Sequence, residues 1–276
     1  MPDRYAVIGN PVQHSKSPQI HAAFARQTGE DIEYTRLLAP EGGFRDAVAA
    51  FRAGGGKGLN VTLPFKLEAA AIATRLSERA RRAGAANFLR FDESGMAADN
   101  TDGVGLARDL AGNLGAQIAG ARLLLVGAGG AARGVMQALL DAAPVSLHVV
   151  NRTADRARAL AKLFADPARA VQPVGGGLVD VGGLQFDLVI NATSAGIAGE
   201  VPALAQNIFA AGSLAYDMVY GAGPTAFMKF AQAQGCGRAA DGLGMLVEQA
   251  AESFFLWRGV RPETAPVLAH LREHRA

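Results

Sequence analysis

Cysteine is nearly missing from this chain. Cys236 stands alone, which excludes an internal disulfide framework and a cysteine-rich metal site and fits a reducing, cytoplasmic setting. Long apolar runs are missing too: no stretch reaches the ~18 residues that a membrane-spanning helix needs. Met1-Pro2-Asp3-Arg4 leads straight into a strand-like run, without the layout of a signal peptide. The expectation is a protein that is neither exported nor membrane-spanning. Lysine is scarce, five of 27 basic residues, and neither lysine nor arginine forms a run. That removes the phosphate-tracking stripe of a nucleic-acid binder, while a formal net charge of +2 suits small anionic ligands. His14 and His21 lack partners at metal-ligand spacing, so no metal site is expected.

What the chain does have is apolar mass. Of its 276 residues 50% are hydrophobic and 19% charged, the balance of a globular protein long enough for two domains. In the opening third, Tyr5–Ile8, Glu33–Leu38 and Leu59–Thr62 read as strands, with helices at Pro18–Thr28 and Gly43–Ala53 between them. That order is βαβαβ. A helix is predicted from Pro64, then a hairpin of Asn87–Phe91 and Met96–Asp99 around Glu93-Ser94-Gly95. A new unit opens at Arg122–Val126, which is apolar without alternation and so reads as a buried parallel strand. Helices over Ala131–Asp141 and Ala154–Phe164 alternate with strands over Ser146–Val150, Phe186–Ile190 and Leu214–Asp217. Val171–Gly183 is given a short strand and a loop; Met245–Trp257 and a last segment toward His274 are helical. The whole predicts an α/β protein of two α/β domains, the second a doubly wound parallel sheet.

Between the strand ending at Val126 and the following helix lies Gly127-Ala128-Gly129-Gly130-Ala131-Ala132. Gly127, Gly129 and Ala132 match the Rossmann fingerprint: the first glycine turns, the second admits a pyrophosphate, and the third position permits close helix packing. The end of the next strand selects the coenzyme, because an NAD site needs a carboxylate there for the ribose hydroxyls. This chain has Asn151-Arg152-Thr153 instead, with Arg156 one helical turn on. A planar guanidinium fork suits a 2′-phosphate, so NADP is the expected coenzyme. The competing assignment makes Arg152 and Arg156 a solvated helix face, with Thr153 as a helix cap. Asn191 to Gly196 follows a strand and borders the expected dinucleotide site, which brings in Thr193.

Three polar sets occupy the first domain. They are Gly9 to Pro18, which includes Ser15 and Ser17; Asn60 to Lys66, which includes Thr62; and Asn87 with Asp99 to Gly103. Strand ends of this kind are where α/β folds bind ligands. Their plain structural reading is capping, by Ser17 ahead of Pro18 and by Asp102.

Taken together, the residues Gly9 to His21, Asn60 to Lys66, Asn100 to Asp102, Gly127 to Ala132, Asn151 to Thr153, Asn191 to Gly196 and Asp241 to Gln249 resemble the shikimate dehydrogenase family over nearly the whole chain. That resemblance implies two α/β domains with a cleft between them, here residues 1–102 with 241–276 for substrate and 103–240 for NADP. It implies reversible NADPH-dependent reduction of 3-dehydroshikimate to shikimate, a step of chorismate and aromatic amino-acid biosynthesis. It places substrate against Ser15, Ser17, Asn60, Thr62, Asn87, Asp102, Tyr220 and Gln249, with Lys66 and Asp102 as the catalytic pair. Coenzyme falls to Gly127, Ala128, Gly129, Gly130, Ala131, Asn151, Arg152, Thr153, Arg156, Thr193, Met218 and Gly242, with Met245 at the substrate edge. Two departures stand out. Ala22 replaces a frequent asparagine, and Gly221-Ala222-Gly223-Pro224-Thr225 follows Tyr220 where the family places proline sooner.

Alternatives remain open. A quinate/shikimate dehydrogenase of relaxed substrate or coenzyme use should carry an acidic group near Asn151. A non-catalytic NADP sensor has no need of Lys66 with Asp102, and a methylene-folate-type dehydrogenase calls for a pterin pocket. Partners are expected to be small molecules, with no nucleic acid and no membrane, and the protein a monomer or homodimer.

Overall fold

A computed structural model describes residues 1–195 and 199–274. The chain divides into two compact units, Met1–Gly105 with Leu246–Leu271, and Leu106–Met245 with the C-terminal residues from Arg272.

In the first unit the apolar runs become β1 (Asp3–Gly9), β2 (Ile32–Leu38) and β3 (Gly56–Val61), connected by α1 (Ser17–Thr28) and α2 (Phe44–Ala53). All three strands are parallel. β1 and β3 are buried almost throughout, as expected of strands covered on both faces, whereas β2 at the sheet edge alternates with solvent. Next come α3 (Lys66–Ile72), β4 (Arg75–Leu76) and α4 (Glu78–Ala83), then the hairpin of β5 (Phe88–Asp92) and β6 (Gly95–Asp99). β5 pairs antiparallel with β3, giving the order β2-β1-β3-β5-β6-β4. Neither β4 nor α4 was anticipated, since two residues show no period and six barely complete a turn and a half. Their punctuation is nonetheless visible: Ser77 Oγ accepts from Ala80 N at 3.1 Å, and Gly84 closes α4 at φ 57°. The core joins Ile8, Phe44, Leu59, Phe65 and Leu89.

The second unit opens within α5 (Asp102–Arg108), which passes into a π-helical turn over Asp109–Asn113. β7 (Arg122–Val126), α6 (Gly130–Asp141), β8 (Ser146–Asn151), α7 (Ala154–Phe164), β9 (Val174–Gly177), β10 (Phe186–Asn191), β11 (Phe209–Asp217), α8 (Ala226–Ala233) and β12 (Arg238–Asp241) follow. The sheet order is β9-β8-β7-β10-β11-β12, every pair parallel. This is the expected Rossmann-type doubly wound sheet, with β7 at the point where the order reverses. Alternate residues of β7 feed opposite cores: Leu123 and Leu125 pack with Val135 and Leu139, Leu124 and Val126 with Phe209 and Phe227.

β11 starts earlier than its alternation suggests, because Gly212, at φ 74°, and a register shift interrupt the pattern before Leu214. α8 and β12 also lay outside the sequence expectations, although Thr225 Oγ1 caps α8 by accepting from Met228 N at 3.2 Å. α9 (Leu243–Arg258) and α10 (Ala265–Glu273) complete the chain. Among the described residues no helix is long and apolar enough to cross a membrane.

Candidate active site

In the first unit the polar sets meet at the ends of β3 and β6. Lys66 begins α3, held by Phe65, whose ring stacks on Phe44 at 4.8 Å. Its Nζ donates to Asp102 Oδ2 at 2.5 Å, and the side chains are only 12% and 5% exposed. Such a buried pair adds little stability, since desolvating two charges offsets their attraction. The other carboxylate oxygen, Asp102 Oδ1, accepts from Asn87 Nδ2 at 2.8 Å. Asn87 Nδ2 also lies 3.2 Å from Gln249 Oε1 and 2.9 Å from Thr101 Oγ1, while Asn87 Oδ1 accepts from Thr101 N at 2.8 Å. Lys66, Asp102, Asn87 and Gln249 thus form one buried, hydrogen-bonded group.

Ser15 and Ser17 form a second group. Their hydroxyls are 3.1 Å apart, and Arg36 fixes the loop by donating from Nε and Nη2 to the Ser15 carbonyl at 3.0 and 2.6 Å. The anticipated cap by Ser17 is not formed. Lys16 occupies the cap position and Ser17 lies inside α1, so its hydroxyl faces Ser15 instead. Asp102 likewise spends its carboxylate on Lys66 and Asn87. Asn60 is committed to the protein: Oδ1 accepts from Tyr34 Oη at 2.7 Å, and Nδ2 donates to Ser253 Oγ at 2.9 Å and to Asn87 O at 3.3 Å. Both amide hydrogens are used, so it braces Asn87 from behind. Thr62 Oγ1, by contrast, has no hydrogen-bond partner among the described residues.

Thr101 and Ser253, both fully buried, were not singled out from sequence. A signal for Ser253 was present, since it lies one turn after Gln249 on the same face of α9. Behind this group His21 stacks on Tyr34 at 4.1 Å and 5°. Burial, partly offset by the Asn60 side chain, lowers the His21 pKa to about 3.

The second unit holds the glycine turn. Gly127 has φ 114°, and a Cβ there would lie 3.1 Å from Ala192 O and 3.2 Å from Thr193 Cγ2. α6 starts at Gly130 after an extended Gly129 and receives no side-chain cap, so its first N–H groups point into the space that the turn creates. Arg152 and Arg156 are exposed and form no ion pair among the described residues. Asn151 Nδ2 donates to the Thr153 carbonyl at 3.0 Å, whereas the Thr153 side chain makes no cap bond to α7, contrary to expectation.

Asn191 and Asp217, opposite each other on β10 and β11, tie together the neighbouring loops. Asn191 Nδ2 donates to Asp217 Oδ1 at 3.0 Å, Thr193 Oγ1 to Asn191 Oδ1 at 2.8 Å, and Met218 N to Asn191 O at 2.9 Å. Burial raises the Asp217 pKa above the usual carboxylate value. Asp217 was missed from sequence because it reads there only as the end of a strand. Gly242 lies so close to Met218 that a Cβ would strike its carbonyl. Tyr220 lies in this unit beyond β11, and Gly196 falls outside the described residues. Among the described residues no group of three or more His, Cys, Asp or Glu is placed to hold a metal.

Comparison with known proteins gives this geometry its context. Residues 7–89 match the model for the shikimate dehydrogenase substrate binding domain, 109–197 that for shikimate / quinate 5-dehydrogenase, and 242–272 that for the shikimate 5'-dehydrogenase C-terminal domain. The shikimate dehydrogenase (NADP(+)) of Nitrosospira multiformis is 58% identical over 99% of this chain and 98% of its own. The chain belongs to the shikimate dehydrogenase family.

The family's solved structures show the same architecture. An Ael1 enzyme from Pseudomonas putida is 45% identical with a TM-score of 0.88, each chain covered to 98%. Shikimate 5-dehydrogenase from Thermus thermophilus, solved in complex with NADP(H) and shikimate, is 32% identical with a TM-score of 0.85, covering 98% of this chain and 99% of that one. Family membership therefore rests on sequence along the full length and on fold alike.

Proposed function

We propose that this protein catalyses the reversible NADPH-dependent reduction of 3-dehydroshikimate to shikimate, in the cytoplasm, as a step toward chorismate and the aromatic amino acids. The observation that carries the reading is the buried Lys66–Asp102 pair with Asn87 and Gln249 beside it. The first unit, Met1–Gly105 with Leu246–Leu271, would be the substrate domain and the second the coenzyme domain, close to the division at residues 102 and 241 expected from sequence.

The group would bind a ligand rich in oxygen. Ser15 and Ser17 would take its carboxylate, Thr62, Asn87 and Gln249 its ring oxygens, and Asn60 would hold Asn87 in place. A site built to pair hydroxyls discriminates against analogues that lack them, because its own buried groups are then left unpaired. As a ketone becomes an alcohol, its oxygen must gain a proton. Lys66 as ammonium supplies that proton, and in the reverse direction its amine takes the hydroxyl proton. Asp102 keeps the ammonium in place, and the Asn87 amide holds Asp102 in turn.

The second unit fits NADP on its own terms. Gly127 to Gly129 form a turn that is tight and strained for a Cβ at Gly127, leading to uncapped helix N–H groups suited to a pyrophosphate. Arg152 and Arg156 suit a 2′-phosphate, with Asn151 and Thr153 beside them, while Thr193 would border the dinucleotide and Met218 and Gly242 its nicotinamide side. When bound, NADP supplies hydride transfer. The decisive experiment is a spectrophotometric assay of the purified protein with shikimate and with quinate, each with NADP and with NAD. Turnover of shikimate with NADP above all other pairs is expected; preference for quinate or NAD would transfer the protein to the relaxed quinate/shikimate class.

A further inference from the structure

We propose that Thr101 is a positioning residue whose hydroxyl, together with the Asn87 amide, sets which way round the Gln249 amide faces the ligand. The inference rests on the reading of Gln249 as a substrate contact.

Asn87 Oδ1 is fixed by the Thr101 backbone N–H at 2.8 Å, so Asn87 Nδ2 must face Asp102, Thr101 and Gln249. Nδ2 has two hydrogens and three acceptors in reach. The closer ones are Asp102 Oδ1 at 2.8 Å and Thr101 Oγ1 at 2.9 Å, which leaves Gln249 Oε1, at 3.2 Å, poorly served. The Thr101 hydroxyl, having accepted from Asn87, has one proton of its own. Its possible acceptors are Asn87 Oδ1 at 3.2 Å, Gln249 Oε1 at 3.3 Å and Ser253 Oγ at 3.3 Å. A bond to the first would return to the amide whose Nδ2 already donates to this hydroxyl, at too narrow an angle for one oxygen to accept and donate well. Ser253 already accepts from Asn60 Nδ2 at 2.9 Å and gives its proton to the Gln249 carbonyl at 3.0 Å, so one lone pair is left on it. Gln249 Oε1 receives only the long contact from Asn87 and is the less satisfied acceptor.

The consequence lies on the other end of the amide. With Oε1 turned inward, Gln249 Nε2 spends one hydrogen on Leu246 O at 2.8 Å and keeps the second for a ligand oxygen. In the flipped orientation Nε2 would oppose Asn87 Nδ2, donor against donor. Thr101 itself is fully buried and acts only through Gln249.

The test is steady-state kinetics of Thr101→Val, which keeps the shape and removes the hydroxyl, beside Thr101→Ser, which keeps the hydroxyl. T101V should raise KM for shikimate about tenfold, the effect of one poorly replaced hydrogen bond, with kcat and KM for NADP within about twofold of wild type. T101S should restore KM, and T101V/Q249A should be no worse than Q249A. An unmoved KM in T101V, a T101S as impaired as T101V, or a loss confined to kcat would overturn the proposal. If T101V does not fold, T101C carries the test, with an intermediate KM expected and a wild-type KM overturning it. Wild-type protein inert toward shikimate sinks the functional reading itself; an active wild type with an unchanged T101V sinks this inference alone.

Discussion

Lys66 is one of only five lysines, and it is held where a lysine is costly unless paired. Its Nζ has Asp102 at 2.5 Å, and that carboxylate is in turn held by Asn87. If it exchanges the proton with substrate, Lys66→Ala should retain shikimate binding while kcat falls by roughly 10²–10⁴. A kcat within twofold of wild type, read by stopped-time assay at saturating substrate, would remove Lys66 from the chemistry. On the coenzyme side Arg152 is exposed and unpaired with any described carboxylate, so its charge is available to a phosphate. Arg152→Ala should raise KM for NADP by about tenfold or more while leaving KM for NAD nearly unchanged, because only NADP carries the 2′-phosphate. Equal losses for the two coenzymes would place the phosphate elsewhere.

At the scale of the element, the turn from β7 into α6 depends on one conformation. Gly127 has a positive φ of 114° and sits against the Ala192 carbonyl, so a side chain there meets both an unfavourable backbone and an occupied space. Gly127→Ala should cost the second unit about 1–3 kcal/mol. It should also weaken NADP binding, as seen by thermal unfolding with and without coenzyme; a variant with wild-type melting and the full NADP-induced shift would show that the turn tolerates a Cβ. The helix α6 itself was legible, since Gly127, Gly129 and Ala132 fall at fingerprint spacing after an apolar strand. β4, α4, α8 and β12 were not, because two to eight residues carry too little periodicity to outweigh the surrounding loop composition. A serine or threonine at the start of a helix announces a boundary, but the alternative reading of Ser17 and Thr153 as caps is not met, since neither makes a side-chain cap bond.

For the molecule as a whole, two sheets of different strand order divide the chain into units with separate cores. Trp257, the only tryptophan, lies in the first unit with its ring 5.6 Å from His21, and so reports that unit's unfolding. His21 has its native pKa lowered by burial to about 3, against 6.5 when exposed. Between these values the unfolded chain binds the proton and the native chain does not, so stability rises with pH across this window and is lost as pH falls below 6.5. At pH 5 the loss is about 2 kcal/mol relative to pH 7, on the order of 1.4 kcal/mol per pH unit. His21→Phe keeps a flat ring on Tyr34 and should lose about that much less between the two pH values, measured by urea unfolding with Trp257 fluorescence. Equal losses in both proteins would show that His21 is protonated in the native state.

By itself the sequence determined the fold class, the coenzyme turn and the candidate polar residues. Hydrophobic period and glycine spacing are local properties, and strand ends can be located without knowing what they face. It could name Asn60 and Asn87 alike as ligand contacts. Only the tertiary structure showed how each is held: Tyr34 and Ser253, 26 and 193 residues away, bond Asn60, while Asn87 ties Asp102, Thr101 and Gln249 together. Thr101 and Asp217 emerged in the same way. Their partners lie on other elements, and a short polar side chain acquires a role only when folding removes water and brings those partners within hydrogen-bond reach.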